Sequence, residues 1–200
     1  MLGNIQRAPY FIMNIFYLDY NPVTCAEMHN DKHVVKMILE YSQLLSTAHR
    51  YLDGTETTVK KYVLGSLPAR WRNTKKWKLT DDRESILYSA THINHPSAIW
   101  SRQNATNYIW LHELLSALCN EYTFRYGKIH KCQSSGLVDK LKNTPTNIPI
   151  GEFTEPTPAM PDEVKIVGDS KASYRNYYIL NKSHLANWKK REVPDWYKTI

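Results

Sequence analysis

The clearest periodicity in the chain lies between His33 and Leu52 and predicts an amphipathic α-helix. At about 100° per residue, the apolar residues of this stretch share one arc, which we expect to face the core. They are Val34, Met37, Tyr41, Leu44, Leu45, Ala48 and Leu52. A second arc is polar, spaced 3-4-3-4-3, and holds His33, Lys36, Glu40, Gln43, Thr47 and Arg50. Val35 and Leu39 flank this polar stripe with apolar groups and keep it narrow.

The polar stripe has two interpretations. The more common one is the solvated face of an amphipathic helix. The other is chemical, because Glu40 stands one turn after Lys36 and two turns after His33. A carboxylate, an amine and an imidazole in this arrangement can transfer protons or stabilise a cationic intermediate. The chemical interpretation requires Glu40 to face a positively lined groove, whereas the first leaves it in bulk solvent.

Cap residues divide the rest of the chain. A proline after asparagine or histidine suits the first position of a helix, and a glycine often ends one. We expect helix starts at Asn21-Pro22, Asn30-Asp31, His95-Pro96 and Gly168-Asp169-Ser170, and a short helix at Leu137–Leu141. Gly54 ends the helix that carries the polar stripe, and Gly127 ends the long pattern that starts at Pro96. That pattern is long enough for a break within it.

The remaining segments are extended or irregular. Met13–Asp19 has a compact β-type composition, and the five prolines between residues 144 and 161 indicate a loop on the surface. The pattern as a whole predicts a mainly α fold, a single-domain helical bundle of four or five helices with a short N-terminal extended segment and long loops. We assign residues 1–12 to a flexible arm or cloning remnant and residues 13–200 to the single helical domain.

Charge adds a candidate partner. The chain has 200 residues and a formal net charge of +7, which favours a polyanion, with nucleic acid first. Between Val59 and Lys78 there is no acid, while aromatic residues alternate with seven cations: Lys60, Lys61, Arg70, Arg72, Lys75, Lys76 and Lys78. Tyr62, Trp71 and Trp77 are the aromatics of this stretch. It is either a surface that follows phosphates or a solvated loop with aromatic anchors in the core.

Several classes of protein do not fit the sequence. No apolar run is long enough to span a bilayer, and Leu2–Met13 lacks the features of a secretory signal. Three cysteines indicate a reducing compartment, and we expect a cytoplasmic location. Histidines and cysteines recur, for example Cys25, His29 and His33, but no set matches a complete zinc signature. Glycine-rich phosphate loops are absent as well. We therefore expect neither a metal nor another cofactor.

Three motifs carry a resemblance to a known family. They are His33-x6-Glu40 on a helix, the Leu-rich segment Leu115–Gly127, and the C-terminal Pro194-Asp-Trp-Tyr-Lys198. In this order, with a basic middle, the chain resembles the phage pyrimidine-dimer DNA glycosylases of the endonuclease V type. The resemblance covers about half of the chain in patches. It implies a small, basic, helical protein that cleaves the glycosidic bond of a damaged base and then nicks the abasic site, in the host cytoplasm if it is phage-encoded.

The resemblance also implies roles for residues. Glu40 would stabilise positive charge on the sugar or iminium, with His33 and Lys36 assisting proton transfer or holding phosphate. In the family the nucleophile is the α-amino group of a residue exposed after removal of the initiator Met, and Asn14 after Met13 matches that position. Because twelve residues precede Met13, Lys36 is the alternative nucleophile. An α-amine has a low pKa for an amine, near ~8, and can attack while neutral.

The expected partner is double-stranded DNA, bound by a monomer away from membranes. We expect DNA contacts from the seven cations between Val59 and Lys78, from Arg50, and from a second polar cluster made of His95 and Arg102. Trp196, Tyr197 and Lys198 complete the set. Two other functions stay open: a phage protein that binds nucleic acid without catalysis, and a metal-dependent enzyme of nucleotide metabolism.

Overall fold

The computed structural model describes residues 13–63 and 70–198; within the strands, the side chains of Lys61, Val63 and Arg70 are outside the description. The predicted N-terminal arm, residues 1–12, lies outside the described residues. The first elements are α1 (Pro22–Met28), α2 (Asp31–Asp53), β1 (Thr55–Val63), β2 (Arg70–Lys78), α3 (Arg83–Ile86) and α4 (Pro96–Trp100). They are followed by α5 (Ala105–Tyr126), α6 (Lys131–Ser134), α7 (Leu137–Lys140), α8 (Ser170–Asn181) and α9 (Asp195–Lys198), with 3-10 turns at Asp162–Val164 and Ser183–Leu185.

About half of the described chain is helical, so the mainly α prediction holds at this level. The core lies between α2 and α5. Every residue of the predicted apolar arc of α2 from Val34 to Ala48 is buried, and Leu52 is partly buried. The predicted starts of α1 and α2 are confirmed, because Asn21 and Asn30 cap them with their side-chain oxygens. Such caps satisfy backbone N–H groups that have no partner within the helix.

The long predicted helix is broken, as its length suggested. α4 ends at Trp100, and α5 begins after Asn104, whose side chain accepts a hydrogen bond from the backbone N–H of Asn107. Gly127 then ends α5 with φ of 65°, a left-handed conformation in which a Cβ is disfavoured. Arg125, in the last turn of α5, is fully buried and donates to Glu121, Asp31 and the carbonyl of His29. This arginine ties α5 to the junction of α1 and α2.

The helical-bundle prediction omitted a β-hairpin. β1 and β2 pair antiparallel from Thr55 opposite Lys78 to Val63 opposite Arg70. β-branched and aromatic residues favour these strands, but the many lysines and arginines hide the alternation in a search for apolar periodicity. Trp77 is 8% exposed and joins the base of the hairpin to the protein, which matches the aromatic-anchor interpretation at this one position. Within the described residues, no helix combines the length and apolarity that crossing a membrane requires.

Candidate active site

A cavity of about 1070 Å³ lies beside the polar stripe of α2. Four parts of the chain line it: the N-terminal extended segment, α2, the segment between α3 and α4, and the start of α6. The lining residues are Met13, Lys32, Val35, Lys36, Leu39, Glu40, Gln43, Tyr88, Ser89, Thr91, His92, His130, Lys131 and Cys132. The middle of the polar stripe therefore faces a concavity.

Glu40 is the acid in this lining. It is only 6% exposed, and its Oε1 lies 2.9 Å from the Lys36 ammonium. Its Oε2 is buried and has no hydrogen-bond partner among the residues that the structure describes. Burial raises the pKa of Glu40, and the hydrogen bond and charge of Lys36 oppose that rise. A carboxylate oxygen left without a partner is costly, so it is a candidate to accept a ligand's hydrogen bond or face a ligand's positive charge.

The rest of the lining is cationic or apolar. In the described lining, Lys32, Lys36 and Lys131 outnumber the Glu40 carboxylate, so this part of the cavity favours an anionic ligand and Glu40 is its negative point. Val35 and Leu39, 39% and 41% exposed, give it an apolar wall. These two flanking residues kept the polar stripe narrow in the sequence, and in the structure they line the same cavity.

His92 is a lining residue that sequence patterns did not select. Its φ is 47°, in the left-handed region that residues other than glycine rarely adopt. Its Nδ1 lies 2.7 Å from the Thr91 hydroxyl. Backbone strain of this kind concentrates at binding and catalytic sites. The sequence alone did not locate this conformation, because histidine is enriched at positive φ but most histidines do not adopt it.

His33 differs from the prediction, because it is not among the described residues that line the cavity. It is buried, stacks on Phe16 with ring centroids 4.1 Å apart, and is hydrogen-bonded through Nδ1 to the Tyr178 hydroxyl at 2.6 Å. Burial lowers the pKa of His33 to about 2, which keeps the ring neutral. His33 is therefore a packing residue that joins α2 to α8, and we withdraw it from the catalytic set.

Asn14 is close to the cavity along the chain. Met13, its neighbour, lines the cavity; Asn14 itself is 1% exposed, and within the described part of the chain its Oδ1 has no hydrogen-bond partner. Phe16 donates its backbone N–H to the Tyr41 hydroxyl, which holds this extended segment against α2. The backbone nitrogen of Asn14 forms the peptide bond to Met13, which lines the cavity.

Arg50 was expected to bind phosphate, and the structure gives its guanidinium other partners. It is 5% exposed and donates to the carbonyls of Tyr88, Trp77, Glu84 and Leu87 and to the Glu84 carboxylate. These bonds join α2 to the base of the hairpin and to α3. With its donors occupied inside the protein, Arg50 has none to offer to DNA.

The hairpin displays most of its cations. The side chains of Lys60, Arg72, Lys76 and Lys78 are exposed, and Lys75 is exposed but paired with Glu56 at 2.8 Å. Only the backbone positions of Lys61 and Arg70 are described; they pair with Arg72 and Val63. Ser89 lines both the cavity and a small cleft of about 120 Å³ at the base of the hairpin, where Lys76 and Lys78 also lie. The basic hairpin thus begins beside the cavity.

The predicted cluster of His95 and Arg102 stabilises the local fold. His95 Nδ1 accepts the backbone N–H of Ser97 and so caps α4. Arg102 donates to the carbonyls of Ala98 and Ile93 at 2.7 Å and lies over the Tyr51 ring. Neither residue is among the described lining of the cavity. Their contacts with DNA remain a prediction.

The C-terminal residues pack on another part of the protein. The Trp196 indole N–H donates to Met28 Sδ at 3.4 Å, and the Tyr197 and Trp188 rings lie 5.0 Å apart. Lys198 is exposed and has Asp195 at 3.4 Å. The structure brings Glu40 and Lys36 together in the cavity but does not bring this tail to it. The predicted DNA contacts of Trp196, Tyr197 and Lys198 remain a prediction.

In the part of the chain that the structure describes, no group of three or more His, Cys, Asp or Glu side chains is arranged to hold a metal ion. Comparison of the chain with protein-family models, with curated proteins and with solved structures gives no match. The resemblance to the pyrimidine-dimer glycosylases therefore stands on its three sequence motifs alone.

Proposed function

We propose that the protein is a DNA-binding enzyme that removes a damaged or modified base by glycosylase and abasic-site lyase chemistry, with Glu40 in the central role. One observation carries the proposal: a buried carboxylate with one unpartnered oxygen faces a large cavity lined by lysines. A carboxylate in a site of low dielectric stabilises developing positive charge far better than it would in water.

The cavity suits an extruded nucleotide. Ligand sites commonly measure about 300–1,000 Å³, and this cavity, at about 1070 Å³, is slightly larger than that range. An enzyme that acts on a base must take the nucleotide out of the stack and hold it in such a pocket. Val35 and Leu39 offer an apolar wall to the base, while Lys32 and Lys131 are cations for its phosphates.

The chemistry follows from an amine next to Glu40. A neutral amine attacks C1′ of the sugar as the C1′–N bond breaks, and the base leaves with the bonding electrons and gains a proton. The amine loses a proton, and the sugar ring opens to an iminium, whose positive charge Glu40 faces. Loss of a C2′ proton then expels the 3′ phosphate and nicks the strand. Hydrolysis of the iminium returns the amine.

Two amines are candidates. Lys36 Nζ lies 2.9 Å from Glu40 Oε1, which places this amine in the cavity beside the carboxylate that would face the iminium. The other candidate is the α-amine of Asn14 in a chain processed after Met13, because Met13 borders the cavity. Intact mass of the native protein identifies which N-terminus exists, and Lys36→Met tests the lysine directly.

The decisive experiment is borohydride trapping on duplex DNA with one abasic site. We expect a covalent adduct and strand cleavage with the wild-type protein, and a loss of about 100- to 1,000-fold in cleavage rate with Glu40→Gln, the range found when one charge-stabilising group is removed. Glu113→Gln, an exposed change on α5, is the matched control and should leave the rate unchanged. Absence of both adduct and cleavage in the wild type would refute the lyase proposal.

A second function is supported by the exposed cations of the hairpin. A protein that binds nucleic acid without catalysis would need Lys60, Arg72, Lys76 and Lys78 but not Glu40. In that case Glu40→Gln would leave DNA affinity unchanged, and abasic DNA would be bound intact. The same trapping experiment separates the two functions.

A further inference from the structure

The hairpin ends in an exposed aromatic pair. Tyr62 on β1 and Trp71 on β2 are directly opposite each other in the register, and their ring centroids are 5.3 Å apart. Trp71 is 67% exposed and Tyr62 is 46% exposed. This contrasts with Trp77 on the same face of the sheet, which is buried at the base. Two large rings that face solvent together are unusual unless something stacks on them.

The charges around this pair specify an anionic partner. Lys60 stands two residues before Tyr62 on the same face of the sheet, and Arg72 follows Trp71 on the opposite face; both side chains are exposed. Among the described residues of the hairpin, Glu56 is the acid that forms an ion pair, with Lys75. It lies six residues before Tyr62, near the base of the hairpin. Aromatic faces within a basic surface are the combination that binds unpaired nucleotides, because every base has a π-face and every nucleotide a phosphate.

We propose that the distal part of the hairpin binds unpaired nucleotides of a DNA strand, with Trp71 and Tyr62 stacking on bases and Lys60, on the same face, contacting phosphate. This deepens the proposed function, on which it rests for the identity of the polynucleotide. The ligand class is single-stranded DNA, bound with little sequence preference.

The length of the hairpin separates this surface from the cavity. The pair lies seven positions from the Thr55–Lys78 base along the strands, and at ~3.3 Å per residue this is about 23 Å. At ~3.4 Å per nucleotide of a stacked strand, this length corresponds to about seven nucleotides. The proposed aromatic contact is therefore additional to the cavity and serves unpaired nucleotides outside it.

The experiment measures affinity for fluorescein-labelled oligothymidines of 4, 8, 12 and 16 nucleotides, and for heparin, a polyanion without bases. We expect Trp71→Ala to weaken binding of the 16-mer by about 5- to 150-fold, the effect of losing one base–aromatic stack, and to leave heparin affinity unchanged. Trp71→Phe should restore most of the loss. Tyr20→Ala, an exposed aromatic outside the hairpin, is the matched control and should bind as the wild type does.

Each outcome bears on one proposal. If Trp71→Ala binds the 16-mer as tightly as Tyr20→Ala does, or loses heparin affinity to the same extent, the stacking surface is refuted. Circular dichroism confirms that both variants are folded. At saturating abasic DNA, the control Tyr20→Ala should cleave at the wild-type rate in a single turnover, whereas Glu40→Gln should not. If the wild-type protein does not cleave abasic DNA, the glycosylase proposal is refuted, while the binding result is unaffected.

Discussion

Replacing Arg50 tests whether this arginine holds the protein together or binds DNA. Its guanidinium makes five hydrogen bonds, four of them to backbone carbonyls in the segment from Trp77 to Tyr88. Arg50→Ala leaves those acceptors without their donor inside the protein. Removing one partner of a buried charged network typically costs about 3–5 kcal/mol. The Glu84 side chain is 43% exposed and regains water, which favours the lower part of that range.

We therefore expect Arg50→Ala to lower the free energy of unfolding by about 3–4 kcal/mol, which at ~2–4 °C per kcal/mol for a chain of this size is a fall in Tm of about 6–16 °C. Arg50→Lys should recover only part of it, since an ammonium has three donors and cannot reproduce the planar fork. Thermal and urea unfolding, followed by circular dichroism, measure both variants.

Lys76→Ala is the matched comparison because its side chain is exposed on the hairpin. It should change the stability by less than about 0.5 kcal/mol while reducing the salt dependence of DNA affinity by about one counterion. Arg50→Ala, measured below its Tm, should keep the wild-type salt dependence. A variant of Arg50 with wild-type stability and a reduced salt slope would show that the reasoning is wrong and that this arginine contacts phosphate.

Other predictions concern pH, a helix end and the N-terminal half of the fold. Burial lowers the pKa of His29 and His49 to about 4 and that of His33 to about 2, from about 6.5 in the unfolded chain. As pH falls below about 6.5 only the unfolded state takes up these protons, so stability should fall by about 1.4 kcal/mol per histidine between neutral pH and pH ~5.5. Urea unfolding across this range measures it, and His49→Gln should reduce the slope by about a third; a stability independent of pH would contradict the buried neutral state. Gly127→Ala, at φ of 65° with open space around the new Cβ, should cost about 1–2 kcal/mol of conformational strain alone, whereas Gly127→Asn should cost less. Arg125→Met should destabilise by more than 3 kcal/mol, on the order of a broken buried ion pair, because Glu121 and Asp31 each lose one of their partners and the carbonyls of His29 and Glu27 lose a donor; a change within 1 kcal/mol, about the size of a surface pair, would show that this arginine is dispensable.

The sequence determined the local structure of this protein wherever one residue type has one physical role. The 3.6-residue period fixed the buried face of α2, and Asn21, Asn30 and Gly127 fixed helix ends through caps and positive φ. The same period put Lys36 and Glu40 on one side of a helix, where they form an ion pair.

The sequence pattern did not reveal the hairpin, and the reason is physical. Its strands are stabilised by pairing across the chain, and their exposed cations remove the apolar alternation that would reveal a half-buried strand. Only the register showed that Tyr62 and Trp71 adjoin each other. Only their exposure separated these two rings from Trp77, which the sequence grouped with them.

Tertiary structure alone decided which polar residues of α2 are available for chemistry. His33, Glu40 and Arg50 are similarly buried, at 4%, 6% and 5% exposure, and they belong to one stripe. His33 and Arg50 meet acceptors and donors from α8, α3 and the hairpin, and these partners satisfy them. Of these three residues, Glu40 is the one that has a buried oxygen without a hydrogen-bond partner among the described residues. It faces the cavity instead of a neighbouring element. A helical period specifies a shared face, but long-range packing determines what each side chain on that face meets.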